Sequence, residues 1–297
     1  MKSKDKFAYS GMHPVTVAFH IMAQICLTMF ILHPVFVAIS LFISLFLCAS
    51  VVGKKFLKEL RFYLPFYLIV AVSNPLFSHN GATPMFFLNG KPITYEALIY
   101  GFVSSGMFLS ILLWCRVWSA VITDDKLLFL LGKQFPKIGL VLTVTLRMIP
   151  RFRMKWEELR EVRSTVDDAA KKGFVSKVKG ALRLFSALIT QAMESSMETG
   201  MSMAARGYGV RKRTSVITYK FRTGDAIFLS LNLLLTASIV VFVALGAAKF
   251  DFYPYISPVS VGDRSIVVFV LYAVQSAMLL FKEVKEEALW NFCRSKI

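Results

Sequence analysis

The side chains with chemistry to offer are few and unevenly placed. All four histidines, His13, His20, His33 and His79, precede residue 80. The carboxylates Glu194 and Glu198 stand one helical turn apart, a spacing that could serve acid–base work, but no histidine is near them. A surface pair facing Lys or Arg of a crossing helix suits them better. Cys26, Cys48, Cys115 and Cys293 are dispersed, with neither metal-ligand spacing nor a disulfide framework. The chain has no Gly-x-Ser-x-Gly elbow and no Gly-x-x-x-x-Gly-Lys-Ser/Thr phosphate loop, so it is expected to be no enzyme and to hold no cofactor of its own.

The sharpest group is a cation. Arg206 sits in Met203-Ala204-Ala205-Arg206-Gly207-Tyr208-Gly209. Gly207 and Gly209 can end a helix in conformations that other residues avoid. The small side chains of Ala204 and Ala205 leave the guanidinium unobstructed, and a guanidinium so presented can grip a partner's carboxylate with two charge-assisted bonds. An arginine placed to complement the dipole of a last helical turn has the same local sequence. The residues alone leave both readings open.

A long element must carry that end. Residues 175–205 contain no proline and read as a helix of about 30 residues, roughly 45 Å long. Small residues crowd its middle, including Ala187 and Gly200, the usual device for close helix crossing. Met193, Met197 and Met201 fall on one face at four-residue spacing. Such a stripe is either plain core or an adaptable surface for changing partners. Residues 152–170 read as a second, charge-mixed helix, separated from the first at Gly173.

These helices lie in a basic interruption of an apolar chain. Residues 147–222 hold 17 Lys/Arg against 7 Asp/Glu, a net of +10. Over the whole chain 56% of the 297 residues are hydrophobic, and no charge occurs from residue 7 to 53. That run exceeds two passes of about 20 residues through a hydrocarbon core. Further uncharged runs cover 62–90, 97–115, 226–248 and 265–281. The fold class expected is therefore all-α: a polytopic integral membrane protein with about six transmembrane helices and long cytoplasmic coupling helices. No cleavable secretion signal is expected, because the first apolar region is too long.

Charge sets the topology. The net charge of +17 could mean nucleic-acid binding, but accumulation of Lys and Arg on the cytoplasmic side explains it more simply, so no nucleic-acid partner is expected. His33-Pro34 reads as the turn between the first two spans, and the stretch 78–95 reads as an outer loop. Both termini are expected in the cytoplasm of a multi-pass cell-membrane protein. The chain divides into N-terminal spans (1–122), a cytoplasmic coupling region (123–223) and C-terminal spans with a tail (224–297). Residues 127–149 are apolar enough to dip into the membrane interface.

Several ordered motifs carry a resemblance. They are Asn74-Pro75-Leu76-Phe77-Ser78-His79-Asn80-Gly81, Pro92-Ile93-Thr94-Tyr95-Glu96-Ala97, Asp125-Lys126-Leu127-Leu128-Phe129-Leu130-Leu131-Gly132-Lys133 and Leu146-Arg147-Met148-Ile149-Pro150-Arg151-Phe152. With the closing Glu198-Thr199-x-x-Ser202-Met203-x-Ala205-Arg206-Gly207-Tyr208-Gly209, and more weakly His13-Pro14, they look like the transmembrane T component of energy-coupling factor transporters. The resemblance implies two crossing coupling helices, each ending in an arginine motif that docks in one of two ABC-type ATPase subunits. A membrane-embedded S component, which captures the substrate, packs on the same helices. ATP would be bound by the partner ATPases only. Ala205, Arg206 and Gly207 match the second docking motif. The first is degenerate: Arg163 in Val162-Arg163-Ser164, a slipped register, or Lys171-Lys172-Gly173 could supply it. Ala187, Met193, Met197, Gly200 and Met201 are implied at the helix crossing and S-component contact. The alternative is an ion-coupled secondary transporter, for which the spans offer His20, Gln24, Asn74 and Gln275 as polar groups.

Overall fold

The computed structural model describes residues 12–53, 56–78, 81–88, 91–166, 174–210, 219–258 and 262–295. It is all-helical in class, with 82% helix in nine helices among the described residues. In chain order these are α1 (Pro14–Phe30), α2 (Pro34–Val52), α3 (Phe56–Phe77), α4 (Tyr95–Val121), α5 (Asp124–Gln134), α6 (Pro136–Val166), α7 (Phe174–Ala205), α8 (Thr223–Ala244) and α9 (Asp263–Ser295). An antiparallel hairpin, β1 (Pro84–Leu88) with β2 (Lys91–Thr94), joins α3 to α4. The chain forms two compact units: Met1–Lys126 with Tyr219–Ile297, and Leu127–Thr218.

The first unit is a membrane bundle. Five of its helices are long and apolar enough to cross a bilayer: α2, α3, α4, α8 and Asp263–Lys285 of α9. At 17 residues α1 is apolar but shorter. The first two helices start by one device used twice. In His13-Pro14-Val15 and His33-Pro34-Val35 the histidine ring accepts the valine N–H, at 3.3 and 3.2 Å, and proline opens the helix. Proline at the first helical position loses nothing, since its N–H would have no helical acceptor there. His33-Pro34 thus begins α2 more than it ends α1. Asp225, at the start of α8, accepts both its own cap's Arg222 N–H (3.2 Å) and the His13 N–H (3.4 Å). This ties the entries of α1 and α8 together.

Inside the bundle the polar groups face one another. Thr16, His20, Gln24 and Thr28 recur every four residues of α1, so they share one face, and all four are fully buried. His20 Nδ1 lies 2.6 Å from Asn232 Oδ1 of α8, while Asn232 Nδ2 donates to the Phe228 carbonyl at 3.2 Å. Because the amide nitrogen is the donor to that carbonyl, its oxygen must accept from His20, which fixes the proton on Nδ1. Ser276 of α9 donates to Gln24 Oε1 at 2.9 Å. Ser40 of α2 joins Thr28 (2.9 Å), Ser110 (2.6 Å) and the Trp114 indole (3.1 Å). Lipid offers a helix no hydrogen bonds, so polar side chains in spans turn inward and pair. Around this seam pack Phe36, Tyr272, Ile239 and Val268, all buried. At one end of the bundle Arg116 of α4 grips Glu59 of α3 with two bonds of 2.7 and 2.8 Å.

The second unit is built from the rest of α5, then α6 and α7. Two glycines set the turn between α5 and α6: a Cβ on Gly139 would lie 2.6 Å from the Gly132 Cα. No Cβ fits at Gly139, whereas one on Gly132 would meet the Gly139 Cα at an ordinary 3.9 Å, so the close approach requires glycine at 139. The helix expected over 152–170 begins well before that, because α6 runs unbroken from Pro136 through Pro150 to Val166. Pro150 cannot donate a backbone hydrogen bond, so the Leu146 carbonyl loses its helical partner, and the flanking turns hold the helix together.

Candidate functional site

The site builds from the C-terminal end of α7. Gly207 adopts φ +73°, and two nested bonds close the helix there: Gly207 N–H to the Ala204 carbonyl (2.9 Å) and Tyr208 N–H to the Met203 carbonyl (3.0 Å). This arrangement is a Schellman cap, and it requires a left-handed residue directly after Arg206. Glycine takes that conformation without a steric penalty, which is why Ala205-Arg206-Gly207 stops the helix where it does. Ala205, Arg206 and Gly207 are all exposed. Among the described residues Arg206 makes no ion pair.

Arg206 also lines a cleft of about 390 Å³ within the second unit. From α6 come Val144, Arg147, Met148 and Arg151; from α7 come Glu198, Thr199, Ser202, Met203 and Arg206. The spacing explains the convergence, because residues three, four and seven apart share one helix face. Two motifs more than forty residues apart in sequence thereby meet at one place. The polar floor holds three guanidiniums against one carboxylate, Glu198. No pair among these four lies within ion-pair distance. The Thr199 hydroxyl is already engaged, donating to the Ser195 carbonyl at 2.7 Å. Such a cleft, open to solvent and with three guanidiniums against one carboxylate, can attract an anion. It has no nucleophile–base pair. Among the described residues no group of three His, Cys, Asp or Glu side chains could hold a metal ion.

The remaining residues expected from sequence fall as follows. Met193, Met197 and Met201 are 64%, 65% and 67% exposed, so within this chain the stripe is surface and not core. Val175, Val178, Leu182, Phe185 and Ile189 extend the exposed apolar face toward the start of α7. Ala187 is exposed on the same helix, and a Cβ built on Gly200 meets nothing within 4 Å. Among the described residues nothing makes a close approach at Gly200. Glu194 and Glu198 are both exposed, and Glu198 lines the cleft together with Arg147 and Arg151 of α6. Arg163 lies on α6, and its side chain is outside the described residues. Lys171, Lys172 and Gly173 are outside them entirely.

Sequence reasoning noted Arg147 and Arg151 only as parts of a motif and gave them no role. Their four-residue spacing on a helix was the available signal, but it cannot say which face meets Arg206. Lys126, from the α5 motif, is buried and donates to the Val121 carbonyl at 3.3 Å. Burial holds its ammonium below the ordinary lysine range. No family model matches the chain, and no curated protein is similar enough to stand as a relative.

Proposed function

We propose that this chain is the membrane-embedded coupling subunit of an ATP-driven importer of the energy-coupling factor type, for vitamins or other micronutrients. Two ABC-type ATPase subunits and a substrate-capturing S component are its partners. In this reading six spans, with α1 as the first, place both termini and residues 123–223 in the cytoplasm. The ATPases dock at the helix ends, at Arg206 for one and in the neighbourhood of Arg163 for the other. Their ATP-driven closure moves α6 and α7, and the apolar face of α7 passes that motion to the S component. The chain itself hydrolyses nothing.

The observation that carries this is the end of α7: a helix of 32 residues stopped by a glycine cap that leaves Arg206 exposed and, among the described residues, without an ion pair. A rigid rod about 48 Å long can transmit displacement, and a bare guanidinium at its tip can be held by an acidic groove. Co-purification from native membranes tests the reading, with ATPase chains expected alongside the wild type. Arg206→Glu should lose those chains or uncouple hydrolysis from uptake. A chain that purifies alone and transports unaided would defeat it.

One observation favours an ion-coupled secondary transporter instead. His20, Gln24 and Gln275 are fully buried in the bundle, and His20 Nε2, Gln24 Nε2 and Gln275 Oε1 have no hydrogen-bond partner among the described residues. Buried polar groups in spans often belong to transport pathways. Uptake driven by an ion gradient in vesicles holding this chain alone would decide for that reading.

A further inference from the structure

Three buried polar atoms of the membrane bundle lie outside its hydrogen-bond network. His20, Gln24 and Gln275 are each fully buried, and His20 Nε2, Gln24 Nε2 and Gln275 Oε1 have no partner among the described residues. A buried donor or acceptor left unpaired is costly, and native folds carry few. The bonds their neighbours make fix what each atom can do. The His20 proton sits on Nδ1, facing Asn232, so Nε2 of the neutral ring can only accept. Gln275 donates from Nε2 to the Thr236 hydroxyl at 2.7 Å, and that hydroxyl donates on to the Asn232 carbonyl at 2.8 Å. The remaining Gln275 Oε1 is therefore an acceptor too. Gln24 Oε1 is taken by Ser276, whose proton is shared with the Tyr272 carbonyl at 2.8 Å, and this leaves Gln24 Nε2 as a donor.

Helix register brings the three together. α1 and α8 run side by side in the same direction, because His13 meets Asp225 and His20 meets Asn232, each pair 212 residues apart. The same offset sets Gln24 level with Thr236, the residue that holds Gln275. Gln275 and Ser276 are neighbours on α9, one bonded to α8 and the other to Gln24 of α1. All three side chains thus converge where α1, α8 and α9 meet. Two acceptors and one donor are the complement of a single water, and buried waters make about three hydrogen bonds. The Gln24 N–H disfavours a cation there, and the two acceptors disfavour an anion. We propose that the bundle binds one ordered water at this junction, donating to His20 Nε2 and Gln275 Oε1 and accepting from Gln24 Nε2. A bridging water is nearly as good as a direct hydrogen bond, so it joins three helices whose side chains do not bond one another at these atoms. The inference needs only the helix bundle and stands apart from either functional reading.

The test is water-edited solid-state NMR of the full chain in lipid bilayers, with nitrogen-labelled histidine rings. Phe19–His20 is the only Phe–His step in the chain, so pairwise labelling assigns the ring without a substitution. His20 Nε2 should appear as the unprotonated ring nitrogen. It should also take up polarisation from water faster than the backbone nitrogen of Val268, which is fully buried in the apolar core. Gln24→Met and Gln275→Met each remove one ligand of the water at similar side-chain length, and each should lose most of that transfer. Ser110→Ala alters the neighbouring Ser40 cluster and should leave it unchanged. A protonated Nε2, or uptake no faster than at Val268, would overturn the proposal. So would transfer that survives intact in both methionine variants. An equal loss in Ser110→Ala would overturn it as well, since the transfer would then follow general packing and not these three ligands.

Discussion

Gly101 and Gly200 sit within long helices, on α4 and α7, and meet opposite surroundings. A Cβ on Gly101 would lie 2.5 Å from the Ala71 carbonyl oxygen of α3, while one on Gly200 meets nothing within 4 Å. The first glycine exists so that two helices of this chain can touch. The second has no such reason among the described residues. The contrast extends to the side chains around them. In the membrane bundle, Thr28, Ser40, Ser110 and Trp114 complete one another's hydrogen bonds, and the exposed faces of α3 and α8 are the apolar ones. Lipid accounts for those faces. On α7 an equally apolar face belongs to a basic polar segment and remains open. Among the described residues the bundle pairs its polar groups within itself, whereas α7 leaves an apolar face exposed.

Substitutions can break or sharpen that contrast. Gly101→Leu drives a side chain into the α3 backbone and should destabilise the chain by about 3 kcal/mol. Thermal unfolding in detergent measures this, and an unchanged midpoint would mean that the α3–α4 approach is not tight. Ser40→Ala removes a shared partner from Thr28, Ser110 and the Trp114 indole, and should cost about 2 kcal/mol in the same assay. Gly207→Val forces a branched side chain to φ +73°, at a cost of about 1–2 kcal/mol confined to the last turn. Faster amide exchange at Tyr208, with the bundle unaffected, is the signature to look for. Gly200→Leu should do the reverse and stabilise the isolated chain by up to about 1 kcal/mol, because leucine is the better helix former and the site is empty. The same variant should lower the yield of any complex formed on that face. If it leaves both stability and complex yield unchanged, α7 docks its partner elsewhere.

Much of the fold was legible in residue order. Uncharged runs near 20 residues mark spans whatever the packing, because the cost of burying a charge in hydrocarbon is a property of the residue. Ala205-Arg206-Gly207 announced a helix end, since left-handed backbone is a local preference of glycine. Other features were readable only with hindsight. His13 and His33 cap helices through ring nitrogens, a role for which Ser, Thr, Asp and Asn are the usual signals. The helix read over 152–170 starts at Pro136 and keeps Pro150 in its interior, because a single lost bond is smaller than what the flanking turns supply.

By itself, then, the sequence determined the class of the molecule, the C-terminal end of α7 and the position of its exposed cation, all from local or solvent-driven preferences. The tertiary structure decided which residues share a space. That Arg147 and Arg151 meet Arg206, that His20 finds Asn232, and that Gly132 faces Gly139 depend on how helices cross. Crossing is set by packing between residues far apart in the chain, and no window of sequence contains both partners.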